Sequence, residues 1–109
     1  MKWIVEYLRE AEKDLKKLDP YSRKLVLKAI DKTAERPLPP PEGMGKPLGN
    51  HAVADLSGYY KIKLKGMGYR VVYKLKKDAG VMKVIVISVR AEEAVYREAE
   101  RRIRRNTEI

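Results

Sequence analysis

Between residues 59 and 76 apolar and charged positions alternate with a period of two. Tyr60, Ile62 and Leu64 stand at one parity, and Lys61, Lys63 and Lys65 at the other. After Gly66-Met67-Gly68 the alternation resumes, with Tyr69, Val71, Tyr73 and Leu75 opposed to Arg70, Val72, Lys74 and Lys76. A period of two is the mark of a half-buried strand. Strands are therefore predicted at residues 59–65 and 69–76, with a third at 81–89. The intervening linkers are short enough for hairpins, and Asp78-Ala79-Gly80 suits a three-residue turn with glycine in the left-handed position.

Upstream the pattern changes. Residues 2–7 (KWIVEY) are β-branched and aromatic and read as a first strand. Leu8, Ala11, Leu15 and Leu18 then recur on one helical stripe. Asp19-Pro20 closes that helix and opens the next, with Asp19 as N-cap and Pro20 at the first helical position. Val26, Ala29, Ile30 and Thr33 carry the second stripe until the proline-rich run from Arg36 stops it. Helices joined so briefly are expected to pack as an antiparallel pair. Residues 38–58 read as one long irregular stretch, its proline triplet a stiff connector and its glycines unlike a phosphate-binding loop. From Glu92 a last helix runs acidic to basic, as the macrodipole favours. The expected fold is α+β in a single domain spanning 1–109, with element order β-α-α-β-β-β-α. A helical hairpin packs on one face of an antiparallel sheet, and a C-terminal helix follows.

Alternation also fixes a register. The apolar faces of the first hairpin coincide when Lys63 lies opposite Arg70, Ile62 opposite Val71 and Tyr60 opposite Tyr73. A slip of one residue would bury the cations. The second hairpin then sets Arg70 opposite Ser88, with Arg90 just beyond on the same face. Lys61, Lys63, Arg70 and Arg90 converge. Neighbours on one strand face lie about 7 Å apart. Two unit charges at that distance repel by roughly 0.6 kcal/mol in water and about 2.4 kcal/mol at an effective dielectric of 20. An anion explains such a cluster economically, although solvated sheet faces carrying lysines are common.

Composition sharpens the point. The 109 residues carry 25 Lys and Arg against 15 Asp and Glu, a formal charge of +10. That excess points to a polyanionic partner: nucleic acid, anionic membrane or an acidic protein. The absence of cysteine excludes disulfides and thiolate metal sites and suits a reducing compartment. No apolar run has the length of a secretory core or a membrane span, so a soluble, cytoplasmic protein is expected.

The segments "YKIKLKGMGYRVVYKL" and "VIVISVRAEEAVY" resemble the RelE branch of the RelE/ParE toxin superfamily. The likeness is sharp from about Leu56 to Ile103 and one of pattern before that. RelE-type toxins cleave messenger RNA in the ribosomal A site with lysines, arginines and a tyrosine. By that resemblance the family's catalytic set falls on Lys61, Lys63, Arg70, Arg90 and Tyr96, six residues beyond Arg90. Lys65, Lys74 and Lys76 would add RNA contacts. Some members carry an extra Gly-Lys before the arginine, whereas here Val89 leads directly to Arg90. The resemblance further implies an acidic antitoxin, the ribosome and mRNA as partners. It implies no cofactor and no metal.

The chemistry has its own requirements. Cleaving RNA through its 2′-hydroxyl needs a base for that proton, charge neutralisation at phosphorus, and a proton for the departing 5′-oxygen. Lysine holds its proton too tightly for a base, but adjacent cations lower its pKa. Lys63 is therefore assigned as the base. Lys61 and Arg70 would hold phosphate oxygens, and Arg90 would serve as acid or as transition-state cation. Tyr96 would stack on or orient the nucleotide. Equally, Tyr96 stands at helical spacing with Ala99 and Ile103 and suits a core or rim position. His51 reads as structural, and Ser88 lacks a histidine partner. The basic Arg101–Arg105 run would grip RNA or antitoxin, or simply cap the helix dipole. Two rival functions remain at this stage: a ParE-like gyrase inhibitor of the same fold, and a non-catalytic basic RNA-binding domain.

Overall fold

A computed structural model of the chain describes residues 2–39, 41, 43, 45–50, 55–64, 66–89 and 91–106. Lys65, Arg90 and His51 lie outside the described residues. Chain order is β1 (Ile4–Tyr7), α1 (Arg9–Lys16), α2 (Pro20–Thr33), β2 (Lys46–Asn50), β3 (Asp55–Leu64), β4 (Tyr69–Lys76), β5 (Val81–Ser88) and α3 (Glu92–Arg105).

The helical segments begin and end where the side chains dictate. Asp19 caps α2, its Oδ2 accepting from the Ser22 amide at 3.1 Å, with Pro20 at the first position. Arg23 folds back on the end of α1. Its Nε donates to the Leu15 carbonyl (3.1 Å) and its Nη2 to that of Leu18 (2.9 Å), adding side-chain donors where the helical ladder ends. Past α2, the Tyr73 hydroxyl donates to the Pro37 carbonyl at 2.8 Å and ties the proline segment to the sheet. A Cβ on Gly45 would fall 2.6 Å from that hydroxyl, so only glycine fits there.

The five strands form one sheet in the order β1-β5-β4-β3-β2. It is antiparallel except for β1, which pairs parallel to β5; the crossover through α1 and α2 supplies the long connection a parallel pair needs. The stretch expected to be irregular contains one strand more than the sequence suggested. β2 pairs antiparallel with β3, Lys46 facing Lys61 and Pro47 facing Tyr60, with an irregularity between Pro47 and Gly49. Its sequence, KPLGN, has little strand propensity, and proline is tolerated because the strand is an edge.

The expected register is present. Lys63 pairs with Arg70, Ile62 with Val71 and Tyr60 with Tyr73, the last two rings stacked at 5.5 Å. Arg70 faces Ser88, but by a different route. Lys76 pairs with Val81, so the connection is a four-residue turn with Gly80 at φ 65°. A shift between Val72 and Tyr73 leaves Ile85 as an extra residue on β5. The longer turn and the bulge offset each other.

Cross-strand pairing sorts the side chains onto two faces. Val5, Tyr7, Tyr60, Val71, Tyr73 and Met82 look toward α2, whose Val26 and Ile30 are buried. Val72 and Val86 look the other way, where α3 covers them with Val95, Tyr96 and Ala99. Both faces of β4 and β5 are thus covered at the centre, which is why Val71, Val72 and Tyr73 are all fully buried.

β1 pairs only with the first half of β5 and leaves the rest of that edge open. A buried ion pair closes it. The Ile87 amide donates to Asp14 Oδ2 (3.0 Å), and Arg102 Nη1 donates to the Ile85 carbonyl (2.9 Å). Arg102 and Asp14 bind each other through two further hydrogen bonds, and Arg102 Nε reaches Glu98 at 2.6 Å. Charged side chains take the place of a neighbouring strand.

Candidate nucleic-acid interface

The cations converge on the α3 face of the sheet, at the end where α3 begins. Direct pairing puts Lys63 beside Arg70 and Lys46 beside Lys61, and pairs share a face. Three residues separate the end of β5 from α3, whose first turn lies alongside Lys61. Lys63 and Lys46 are exposed, whereas Lys61 and Arg70 are half-buried. Lys46 was not foreseen, since its strand has no legible sequence signal.

Lys61 is held by two groups of α3. Its Nζ lies 3.2 Å from Glu92 Oε1 and 6.0 Å from the centre of the Tyr96 ring. The Tyr96 hydroxyl donates to the same Glu92 oxygen at 2.7 Å. Burial works against the Lys61 ammonium, but the contacts with Tyr96 and Glu92 prevail and hold its pKa above the usual lysine value. Lys61 is accordingly a fixed cation. Glu92 is held below the usual carboxylate range by the Tyr96 hydrogen bond, then by Lys61, with Arg70 adding to the effect. Burial and the bond to Glu92 push the Tyr96 phenol up, against the influence of Lys61.

Glu92 is the residue that sequence reasoning passed over. Its spacing of four from Tyr96 on one helix was the available signal. Tyr96 itself is 2% exposed, its ring packed in the core. A stacking platform needs an open ring face, which the buried ring of Tyr96 lacks; its hydroxyl meets Glu92.

Lys74 and Lys76 share the face but step away from Arg70 by roughly 13 and 20 Å along the strand. Lys74 instead lies over the Tyr59 ring, 5.8 Å from its centre. A groove of about 670 Å³ lies elsewhere, between α1 and α3, lined by Asp14, Tyr69, Ser88 and Arg102 and by none of the clustered cations.

A mixed sheet carrying a helical pair on one face, and a C-terminal helix beside a lysine–arginine cluster on the other, defines a toxin of the RelE/ParE superfamily. The model of the family described as ParE toxin of type II toxin–antitoxin system, parDE, matches residues 5–94, and the chain belongs to that family. The mRNA interferase toxin RelE of Escherichia coli K12 is 28% identical over 103 residues, covering 94% of this chain and 99% of that protein. Among solved structures, a doubly substituted E. coli toxin RelE in its free state superposes with a TM-score of 0.69 at 30% identity, covering 94% and 99% of the two chains. The intact E. coli RelBE toxin–antitoxin complex gives 0.62 at 27%, with 83% and 98% covered. At 22% identity, the archaeal RelE–RelB complex of Pyrococcus horikoshii OT3 shares the fold, with a TM-score of 0.61 and 84% and 99% covered.

Proposed function

We propose that the chain is a ribosome-dependent mRNA endonuclease, a RelE-type toxin held silent by an acidic antitoxin. The observation that carries this reading is the pairing of Lys63 with Arg70 beside Lys61, on the face that Tyr96 adjoins. The relatives named mRNA interferase support it. The complexes of related toxins with their antitoxins support the partner.

In this reading Lys63 takes the proton of the 2′-hydroxyl, whose oxygen attacks the adjacent phosphorus. Lys61 and Arg70 hold the non-bridging oxygens as negative charge builds. The bond to the 5′-oxygen breaks, leaving a 2′,3′-cyclic phosphate, and Arg90 stabilises or protonates the leaving oxygen. Tyr96 orients Lys61. A persistently charged Lys61 suits the binding role better than that of base. A set of cations on a sheet face suits an enzyme whose substrate is positioned by the ribosome. Lys46 and Lys74 would contact the flanking RNA, along with Lys65 and Lys76.

The test is cleavage of a defined mRNA on programmed ribosomes by the purified protein and by Lys63→Ala and Arg70→Ala. Cuts in the A-site codon that require the ribosome and vanish in folded variants are expected. Intact mRNA would overturn the reading. The matched family description favours one alternative, a ParE-like gyrase inhibitor, which predicts gyrase-dependent DNA breakage instead. Binding to RNA with neither effect would leave a non-catalytic RNA-binding domain.

A further inference from the structure

The cation that would receive a phosphate already has an anion. Glu92 accepts hydrogen bonds from both Lys61 and Tyr96 through a single oxygen, Oε1. A phosphate oxygen approaching Lys61 would compete for the same donors. Glu92 is the first residue of α3 and carries an acid at a helix N-terminus, where a negative charge is favoured. Its side chain is 47% exposed, against 23% for Lys61, so it can swing into solvent while Lys61 stays.

We infer that Glu92 is a built-in counter-anion of the cationic face, a carboxylate that stands in for phosphate and is displaced when RNA binds. The inference rests on the proposed role of Lys61 as a phosphate contact. Two consequences follow from the geometry. In the free protein Glu92 keeps Lys61 and the Tyr96 hydroxyl ordered for their ligand, which reduces the reorganisation left for the binding step. It also weakens binding of any ligand that cannot replace it. An isolated phosphate offers little advantage over the tethered carboxylate, whereas RNA held at further cations can drive the exchange. Glu92 is a specificity-determining residue in this sense: it raises the threshold for loosely held RNA.

A charge change of one unit near any RNA-binding face alters affinity, so the comparison needs a matched control. Glu93 is exposed, adjacent, and in the same turn of α3. Binding of a fluorescent single-stranded 2′-O-methyl RNA, which cannot be cleaved, is measured by anisotropy for the whole protein, Glu92→Gln and Glu93→Gln at one ionic strength. Glu92→Gln is expected to bind about fivefold more tightly than Glu93→Gln, the equivalent of roughly 1 kcal/mol for a half-exposed ion pair. Equal affinity in the two variants, absence of binding included, overturns the inference, and so does weaker binding by Glu92→Gln. Should a variant be poorly folded, the wild-type protein gives a second test. The carboxylate 13C resonance of Glu92 must shift on addition of RNA, and a resonance that stays in place overturns the inference. The nuclease reading stands or falls separately, on the ribosomal assay. A differential between the variants without mRNA cleavage would sink that reading and leave the counter-anion in place.

Discussion

Arg102 of α3 and Asp14 of α1 face each other as a two-pronged pair, Nη1 to Oδ2 at 2.6 Å and Nη2 to Oδ1 at 3.0 Å. They are 88 residues apart in sequence. Each also bonds the open edge of β5, so helix, helix and sheet meet at one charged joint. Arg102 is only 7% exposed; without the Asp14 carboxylate it keeps Glu98 but loses its two-pronged partner. Asp14→Asn should therefore destabilise the protein by about 2 kcal/mol, the cost of weakening charged hydrogen bonds at a buried joint. The paired change Asp14→Leu with Arg102→Met should recover only part of that loss, because the Ile87 amide and Ile85 carbonyl remain without partners. Chemical denaturation of the three proteins measures both effects.

Glu98 adds a dependence on pH. Hydrogen bonds from Arg101 and then Arg102 outweigh burial and lower its pKa from 4.5 to about 2. A lowered carboxyl contributes stability that is complete above about pH 4.5 and is lost as pH falls through about 2. Because Arg101, the leading partner, is half-exposed and screened by solvent, the contribution is about 1 kcal/mol. Glu98→Gln should be less stable than wild type at neutral pH, and the two curves should converge toward pH 2. Thermal melts across that range read the difference directly.

Lys63 is exposed, so its truncation should leave the fold intact. If it meets phosphate, Lys63→Ala should reduce the slope of log affinity against log salt by about 0.7 for single-stranded RNA. Lys77→Ala, on the distant hairpin turn, should leave the slope unchanged. Anisotropy at several salt concentrations distinguishes a phosphate contact from a lysine that only adds to the general field.

Gly80 has φ 65° and ψ 35°, and a Cβ there would meet nothing within 4 Å. The difficulty is backbone conformation alone. Gly80→Ala should destabilise by about 1 kcal/mol and Gly80→Asn by less, since asparagine tolerates the left-handed region. Equilibrium denaturation should show that order, with RNA affinity unaltered.

What the sequence made legible was whatever rests on periodicity or on local chemistry. Strands β3 and β4 and their register follow from alternation, because a slip would have buried Lys61, Lys63 and Arg70. The α2 boundary follows from Asp19-Pro20. β2 was hidden because Lys46-Pro47-Leu48-Gly49-Asn50 has little strand propensity of its own and is a strand through its pairing with β3. The Arg102–Asp14 joint was equally hidden, since a charge pattern on two amphipathic helices does not say which pair will be buried. In the candidate site the cations were readable one by one. Their engagement with Glu92 depends on how α3 lies across the sheet, which no local pattern encodes.

The bulge at Ile85 has a mechanical meaning. Between the Lys77–Gly80 turn and the Arg70–Ser88 pair it inserts one slack residue, so the two ends of the β4–β5 hairpin are indexed independently. A strand pair without that slack would carry any change of turn length straight along β5, moving Ser88 off Arg70 and shifting the start of α3. Here a length change at the tip can be absorbed by gain or loss of the bulge before it reaches that end. The hairpin tip is free to vary while β5 still delivers α3 to its place beside Lys61.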